Sequence, residues 1–258
     1  MEENTGLTRG EVNRSLRGFI VASGFWGAWG QTVGIGTAIF TGYALLLGAD
    51  EAYIALLTAV AYLLAVGQLV SPLLGKWIRD KKLFIIGMGF AEILFRGLIV
   101  AIPFLLAPSM HLSALLLVVS LGLLFGYAIS PFYSTWIANT IPEAIRARFT
   151  SQQTIVSTVV AMVAGIAVGQ IIDWFPVSHK QEGFTLLFAG ATVFGWLGYV
   201  ALARAPFPQS AARVASSGSL SMLLQPFRDT NFRRAVLFYG LWTFAIGVGG
   251  PFYCVFML

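Results

Sequence analysis

The chain has 258 residues, of which 57% are hydrophobic and 10% charged, with a formal net charge of +5 and a mean hydropathy of +0.81. A water-soluble domain carries about a quarter charged residues, and this chain lacks the polar shell such a domain needs. The single cysteine, Cys254, excludes an internal disulfide and a cysteine metal cluster.

Charge is excluded from long windows. Residues 18–49, 52–75, 97–142, 149–172 and 235–258 contain no Asp, Glu, Lys or Arg. A helix needs about 20 mostly apolar residues to cross hydrocarbon, where unpaired backbone groups are too costly to leave exposed. The pattern predicts an all-α, polytopic membrane helix bundle with spans near 19–47, 52–74, 84–106, 112–138, 151–173, 184–203 and 235–257.

The first span is long for a bilayer, so tilt or bending must absorb the excess. Its glycines, Gly24, Gly27, Gly30, Gly34 and Gly36, suit either close helix packing or a kink. Gln31 lies in the same span, and its amide fits a solute contact and an interhelical bond equally well. The third span holds the most costly residues, Glu92 and Arg96, four apart on one helical face. A structural pair, a gating network and solute or proton coupling all fit them. The fourth span carries Tyr127, Ser130, Pro131 and Tyr133, a bent face with polar character. Trp136 and Asn139, near its end, read as boundary anchors. In the fifth span Gly165 and Gly169 form a GxxxG packing signal.

The connectors alternate in charge. Fourteen of the sixteen basic residues fall on one side: Arg9, Arg14 and Arg17, then Lys76, Arg79, Lys81 and Lys82, then Arg146 and Arg148, then Arg204, Arg213, Arg228, Arg233 and Arg234. Lys180 stands on the other, with Asp50, Glu51 and Glu182. Basic connectors are retained in the cytoplasm, which places the N-terminus inside and predicts a multi-pass protein of the cell membrane. A nucleic-acid surface would not be interrupted with this period; topology alone explains these charges, and anionic lipid headgroups are a further partner for them. The sequence divides into a six-helix unit at 1–204, a basic cytoplasmic connection at 205–234, and a helix at 235–258 that reads as the first of a second unit. The six spans group as two sets of three, fitting three-helix units of inverted topology.

Two connectors carry motifs. Gly75-Lys76-Trp77-Ile78-Arg79-Asp80-Lys81-Lys82, between spans two and three, resembles the pattern G-x-x-x-D-R-x-G-R-R/K of the major facilitator superfamily, with Arg79 at the usual aspartate position and Asp80 one place late. Pro142-Glu143-Ala144-Ile145-Arg146-Ala147-Arg148, between spans four and five, resembles that superfamily's P-E-x-x-R-G-R, with Ala147 in place of glycine. Thr150 and Gln153 follow with capping-box spacing. The resemblance covers the whole chain. It implies two six-helix halves rocking about a central solute site, so that this chain is one half plus a seventh helix. The other half would then be a partner, along with a small solute and a coupling ion. By position it implies a cavity lined by Gln31, Tyr127 and, more weakly, Trp242, to which the polar face of the fourth span adds Ser130 as a candidate, and an inner-gate network of Gly75, Arg79, Asp80, Glu143, Arg146 and Arg148. The expected function is secondary active transport by alternating access; the alternative is a non-transporting membrane fragment or binding protein. No nucleotide-binding loop, paired-carboxylate hydrolase site or metal centre is legible, so neither enzymatic activity nor a cofactor is expected.

Overall fold

Capping side chains set the starts of the first four helices. In the computed structural model, which describes residues 7–69, 71, 75, 77–208 and 225–257, helix α1 (Arg9–Val33) opens on a reciprocal box between Thr8 and Glu11. Thr37 caps α2 (Ala38–Leu46), Asp50 caps α3 (Glu51–Ala65) and Asp80 caps α4 (Lys81–Gly97), each accepting from an N–H three residues on. Helix α5 (His111–Thr140) runs into α6 (Glu143–Asp173) through the single turn at Ile141 and Pro142. Helix α7 is Lys180–Ala203, and Asp229 lies at the start of α8 (Thr230–Met257), accepting from the N–H groups of Asn231 and Phe232. Lys76, Arg213 and most of the 205–234 connection lie outside the described residues.

The protein is a polytopic, all-α membrane helix bundle. Among the described residues, five helical segments are long and apolar enough to cross a membrane: Glu51–Leu69, Lys81–Leu105, Pro108–Thr140, Glu143–Asp173 and Val177–Ala203. The first expected span, 19–47, is not one helix. It breaks at 34–37, where Gly34 leaves the α-helical conformation and Gly36 adopts a φ of +85°, a region that glycine enters without steric cost. The fifth span also begins earlier than expected. Glu143, Arg146 and Arg148 belong to the first turns of α6 and not to a loop. Thr150 and Gln153 are therefore mid-helix: the Thr150 hydroxyl donates to the Arg146 carbonyl, and Gln153 reaches across to α1.

Helix α1 packs along α6 and α7, α4 packs against α5 and α7, and α3 packs against α5. With α1 and α2 counted as the first of six spans, exchanging spans one to three with four to six maps these principal contacts onto themselves, the lesser α6–α7 contact aside. Contacts between first and fifth, and first and sixth, become fourth with second, and fourth with third. The third–sixth contact maps to itself. Helix α8 lies against α3 and α2, with Gly247 beside Tyr62.

Aromatic contacts define the two ends of the bundle. At one end Phe19 meets Trp136 and Phe149 at ring separations of 5.5 and 6.2 Å, Trp136 meets Phe207 at 5.0 Å, and Phe84 meets Phe132 at 5.5 Å. At the other, Tyr43 meets Phe184 and Phe188, its hydroxyl donates to the Ile99 carbonyl, and the Tyr53 hydroxyl donates to the Leu112 carbonyl. The basic starts of α1, α4 and α6 and the basic end of α7 thus share one end, opposite Asp50, Glu51, Lys180 and Glu182. Trp136 is fully buried and its indole N–H donates to the Pro206 carbonyl, so it is a core residue and not the expected boundary anchor.

In a Cys254→Ser background, single cysteines at Arg79 and Glu182, both exposed, should react with a membrane-impermeant maleimide from opposite compartments of sealed vesicles. Labelling of both from one compartment would overturn the two-ended layout.

Candidate functional site: a charged cavity at mid-depth

The break in the first span creates the problem that the site solves. The last carbonyls of a helix have no intrahelical partner, and in a membrane interior water does not reach them. The Val33 carbonyl at the end of α1 accepts a 2.7 Å hydrogen bond from Arg96 Nη2, reaching across from α4. A positive charge at a helix C-terminus is also favoured by the helix dipole. The guanidinium carbon lies 4.5 Å from the centre of the Trp29 ring, also on α1. Its third partner is Glu92, one turn back on α4, with Nη1 and Oε1 3.8 Å apart. The other carboxylate oxygen accepts from the Tyr199 hydroxyl of α7 at 3.1 Å. Glu92 and Arg96 thus lie together inside the bundle and tie α4 to α1 and α7.

Close approach to α5 depends on missing side chains. A Cβ on Gly126 would stand 2.6 Å from Glu92 Oε1, and one on Gly122 would collide with the Arg96 side chain. Gly122 and Gly126 form a GxxxG motif, readable in the sequence and overlooked beside the pair at 165 and 169. Of that second pair, Gly165 faces the Gln31 amide while Gly169 faces open space.

Between these elements lies a cavity of about 400 Å³. Its polar walls are Glu92, Arg96, Tyr127, Ser130 and Gln68. Trp26, Trp29, Tyr133 and Tyr199 line the rest together with Gly126 and four aliphatic side chains, Ile85, Ile93, Leu123 and Ile129. Trp26 packs on Tyr199 at 4.8 Å and edge-on to Tyr133 at 5.6 Å. The Trp26 and Trp29 indole N–H groups are buried without an acceptor among the described residues, and both rings sit over α7 at Gly198 and Gly195. Toward the basic end a second cavity of about 340 Å³ is lined by Ser23, Gln153, Thr154, Ser157 and Thr158, and shares Trp26 and Tyr133 with the first. There Gln153 Nε2 donates to the Ser23 hydroxyl at 2.6 Å and to the Tyr133 hydroxyl at 3.3 Å.

Tyr127 and Ser130 therefore join Glu92 and Arg96 around one cavity. Gln31 and Trp242 do not. Gln31 lies against Gly165 on α6, and Trp242 is exposed on α8, stacked on Phe238 at 6.4 Å. Sequence distance along the first span did not reveal which way Gln31 points. Pro131 sits inside α5 beside the cavity, and the Ser71 hydroxyl donates to the neighbouring Ala128 carbonyl. Trp29 and Tyr199 were missed. Their signals were an aromatic one turn before the break and a tyrosine next to Gly198, neither distinctive in an aromatic-rich chain.

The two connector motifs do not meet through ion pairs among the described residues. Asp80 caps α4, accepting from the Leu83 N–H at 2.9 Å, and Arg79 is exposed beside it. Gly75 is buried in the turn. Arg146 bonds the Ala138 and Ile141 carbonyls at 2.9 and 3.3 Å, closing the C-terminal end of α5, while Glu143 and Arg148 are exposed. Among the described residues, no three His, Cys, Asp or Glu side chains gather where they could hold a metal. No protein-family model, curated protein or solved structure matches the chain.

The pair is asymmetric, because Arg96 has a helix end and a ring to hold while Glu92 has one tyrosine. Arg96→Gln should lower stability by about 3–5 kcal/mol, the usual result of removing one member of a buried pair. Glu92→Gln, which keeps an acceptor for Tyr199, should cost about 1–3 kcal/mol. The double reversal Glu92→Arg with Arg96→Glu should not rescue, since arginine at 92 stands a turn from the Val33 carbonyl. Unfolding midpoints in detergent give the order, and full rescue by the double reversal would contradict it. Gly126→Ala should destabilise by about 1–3 kcal/mol through overpacking against the carboxylate; unchanged stability in the same measurement would show that Glu92 is free to move away.

Proposed function

We propose that this protein is a secondary transporter that moves a small solute by alternating access, with the mid-depth cavity as its solute site. The observation that carries the reading is a charged, part-polar cavity lined by α1, α4, α5 and α7, inside a bundle whose flanks are apolar enough for lipid. Buried ionisable groups are costly in a membrane and concentrate where solutes or ions pass. Binding at mid-depth between repeated helix units is the common plan of secondary transporters.

The neighbour pattern that survives exchange of the two three-span sets supports a major-facilitator-type arrangement, as do the connector motifs. On this reading residues 1–204 are one six-span unit, 205–234 the connection, and 235–258 a further helix beyond it. The basic end faces the cytoplasm and the N-terminus lies inside, in the cell membrane. Arg146, seated on the end of α5, ties the α5–α6 turn together where an inner gate would hinge. The chemistry is binding and passage with no covalent step, driven by a solute or ion gradient.

A second reading, a non-transporting membrane protein, draws on the Arg96 bond to Val33, since holding a broken helix together requires no solute. Accessibility separates the two. With Cys254→Ser, Ser130→Cys places one thiol in the cavity. Impermeant maleimide should label it from either face in vesicles of opposite orientation, at rates that rise on one face as they fall on the other when a transmembrane gradient is imposed. Labelling from one face only, under every gradient, would leave the non-transporting reading.

A further inference from the structure

We infer that the cavity recognises an organic cation with a flat apolar body; the inference rests on the cavity being a solute site and adds the chemical class it takes. The carboxylate and the rings together decide the sign. Arg96 is engaged on three sides, by the Val33 carbonyl at 2.7 Å, the Trp29 ring face at 4.5 Å and the Glu92 carboxylate. Glu92 is less fully matched. Its Oε1 stands 3.8 Å from the nearest guanidinium nitrogen, outside hydrogen-bond reach, while among the described residues Oε2 accepts from Tyr199 alone. A solute entering the cavity therefore meets a carboxylate with unfilled acceptor capacity, beside a guanidinium whose Nη2 is held by the Val33 carbonyl and which lies against the Trp29 ring.

The remaining walls reinforce the sign. Trp26, Tyr127, Tyr133 and Tyr199 stand around the same space as Glu92. Aromatic faces carry negative electrostatic potential, so they attract cations and repel anions, most strongly where water is excluded. They also stack with a planar apolar body. Among the described residues the Tyr127 and Ser130 hydroxyls and the Gln68 amide have no protein hydrogen bond, which leaves them for a polar substituent on the solute. At about 400 Å³ the space is near the lower end of the range for small-ligand sites, about 300–1,000 Å³, and suits a single-ring or two-ring amine.

Three probes of one shape test the charge. Phenethylammonium, 2-phenylethanol and 3-phenylpropanoate share an aryl-alkyl body and carry a cation, a neutral hydroxyl and an anion. In titration calorimetry on the purified full chain in detergent at pH 7, phenethylammonium should bind about tenfold or more tightly than 2-phenylethanol, and 3-phenylpropanoate should give no heat of binding. Glu92→Gln, checked for monodispersity, should bring the cation and the alcohol within about twofold of each other. Trp26→Leu should weaken the cation about three- to tenfold. The ranking of the three probes on the unaltered chain stands even where a variant does not fold. A tighter anion or alcohol, no binding by any probe, or a cation preference unchanged in monodisperse Glu92→Gln would overturn the inference. Cation binding together with one-sided labelling of Ser130→Cys would keep the ligand class and remove transport. Two-sided labelling without cation preference would do the reverse.

Discussion

A helix that ends inside a membrane leaves carbonyl oxygens with nothing to accept from, and an arginine inside a membrane has a charge with nowhere to go. Each alone costs several kcal/mol. Val33 and Arg96 are each other's answer. The break in the first span can exist because a guanidinium from α4 reaches its last carbonyl, and Arg96 can be buried because that carbonyl, the Trp29 face and Glu92 surround it. The rest of the site follows from this contact. Glu92 needs a second partner and finds Tyr199, and α5 must come close enough to close the space, which Gly122 and Gly126 permit.

A related device recurs at the basic end, where Arg146 donates to the final carbonyls of α5. There the helix stops near the bundle's rim, so the arginine closes a turn instead of a buried break. The difference in depth changes what the same chemistry does. At the rim a cation on a helix end sets the angle between α5 and α6. At mid-depth it requires a carboxylate counterpart, and the pair then becomes part of a cavity wall.

Much of this was legible in the sequence. Uncharged windows report transfer energy directly, so the helices and their alternating connectors were readable, and the cost of Glu92 and Arg96 marked α4 as unusual. What a transfer scale does not encode is which side chain meets which. Five glycines in the first span all permitted a break, and only the contact from Arg96 distinguishes the carbonyl at 33. The start of α6 was set too late because Glu143, Arg146 and Arg148 are charged, although charged residues fit a helix turn at the boundary as readily as a loop. Trp136 carried the composition of a boundary anchor, yet Phe19, Phe207 and the Pro206 carbonyl enclose it. Gln31 and Trp242 were placed by analogy of position, and each faces another way.

The cavity persists because its rings are held from behind. Tyr199 seats on Gly89 of α4, Trp26 on Gly198 of α7, and Trp29 on Gly195, each where a Cβ would overlap the ring. A bundle free to collapse would turn such large side chains into the space, since an apolar void forfeits dispersion contacts along its whole lining. Here the rings gain those contacts in the glycine notches of the neighbouring helices and leave the centre open. The small residues on α4 and α7 and the large ones on α1 and α7 are therefore one arrangement. Helices come close where backbone meets ring, and the polar ends of Glu92, Tyr127 and Ser130 are left facing a space that packing alone would have filled.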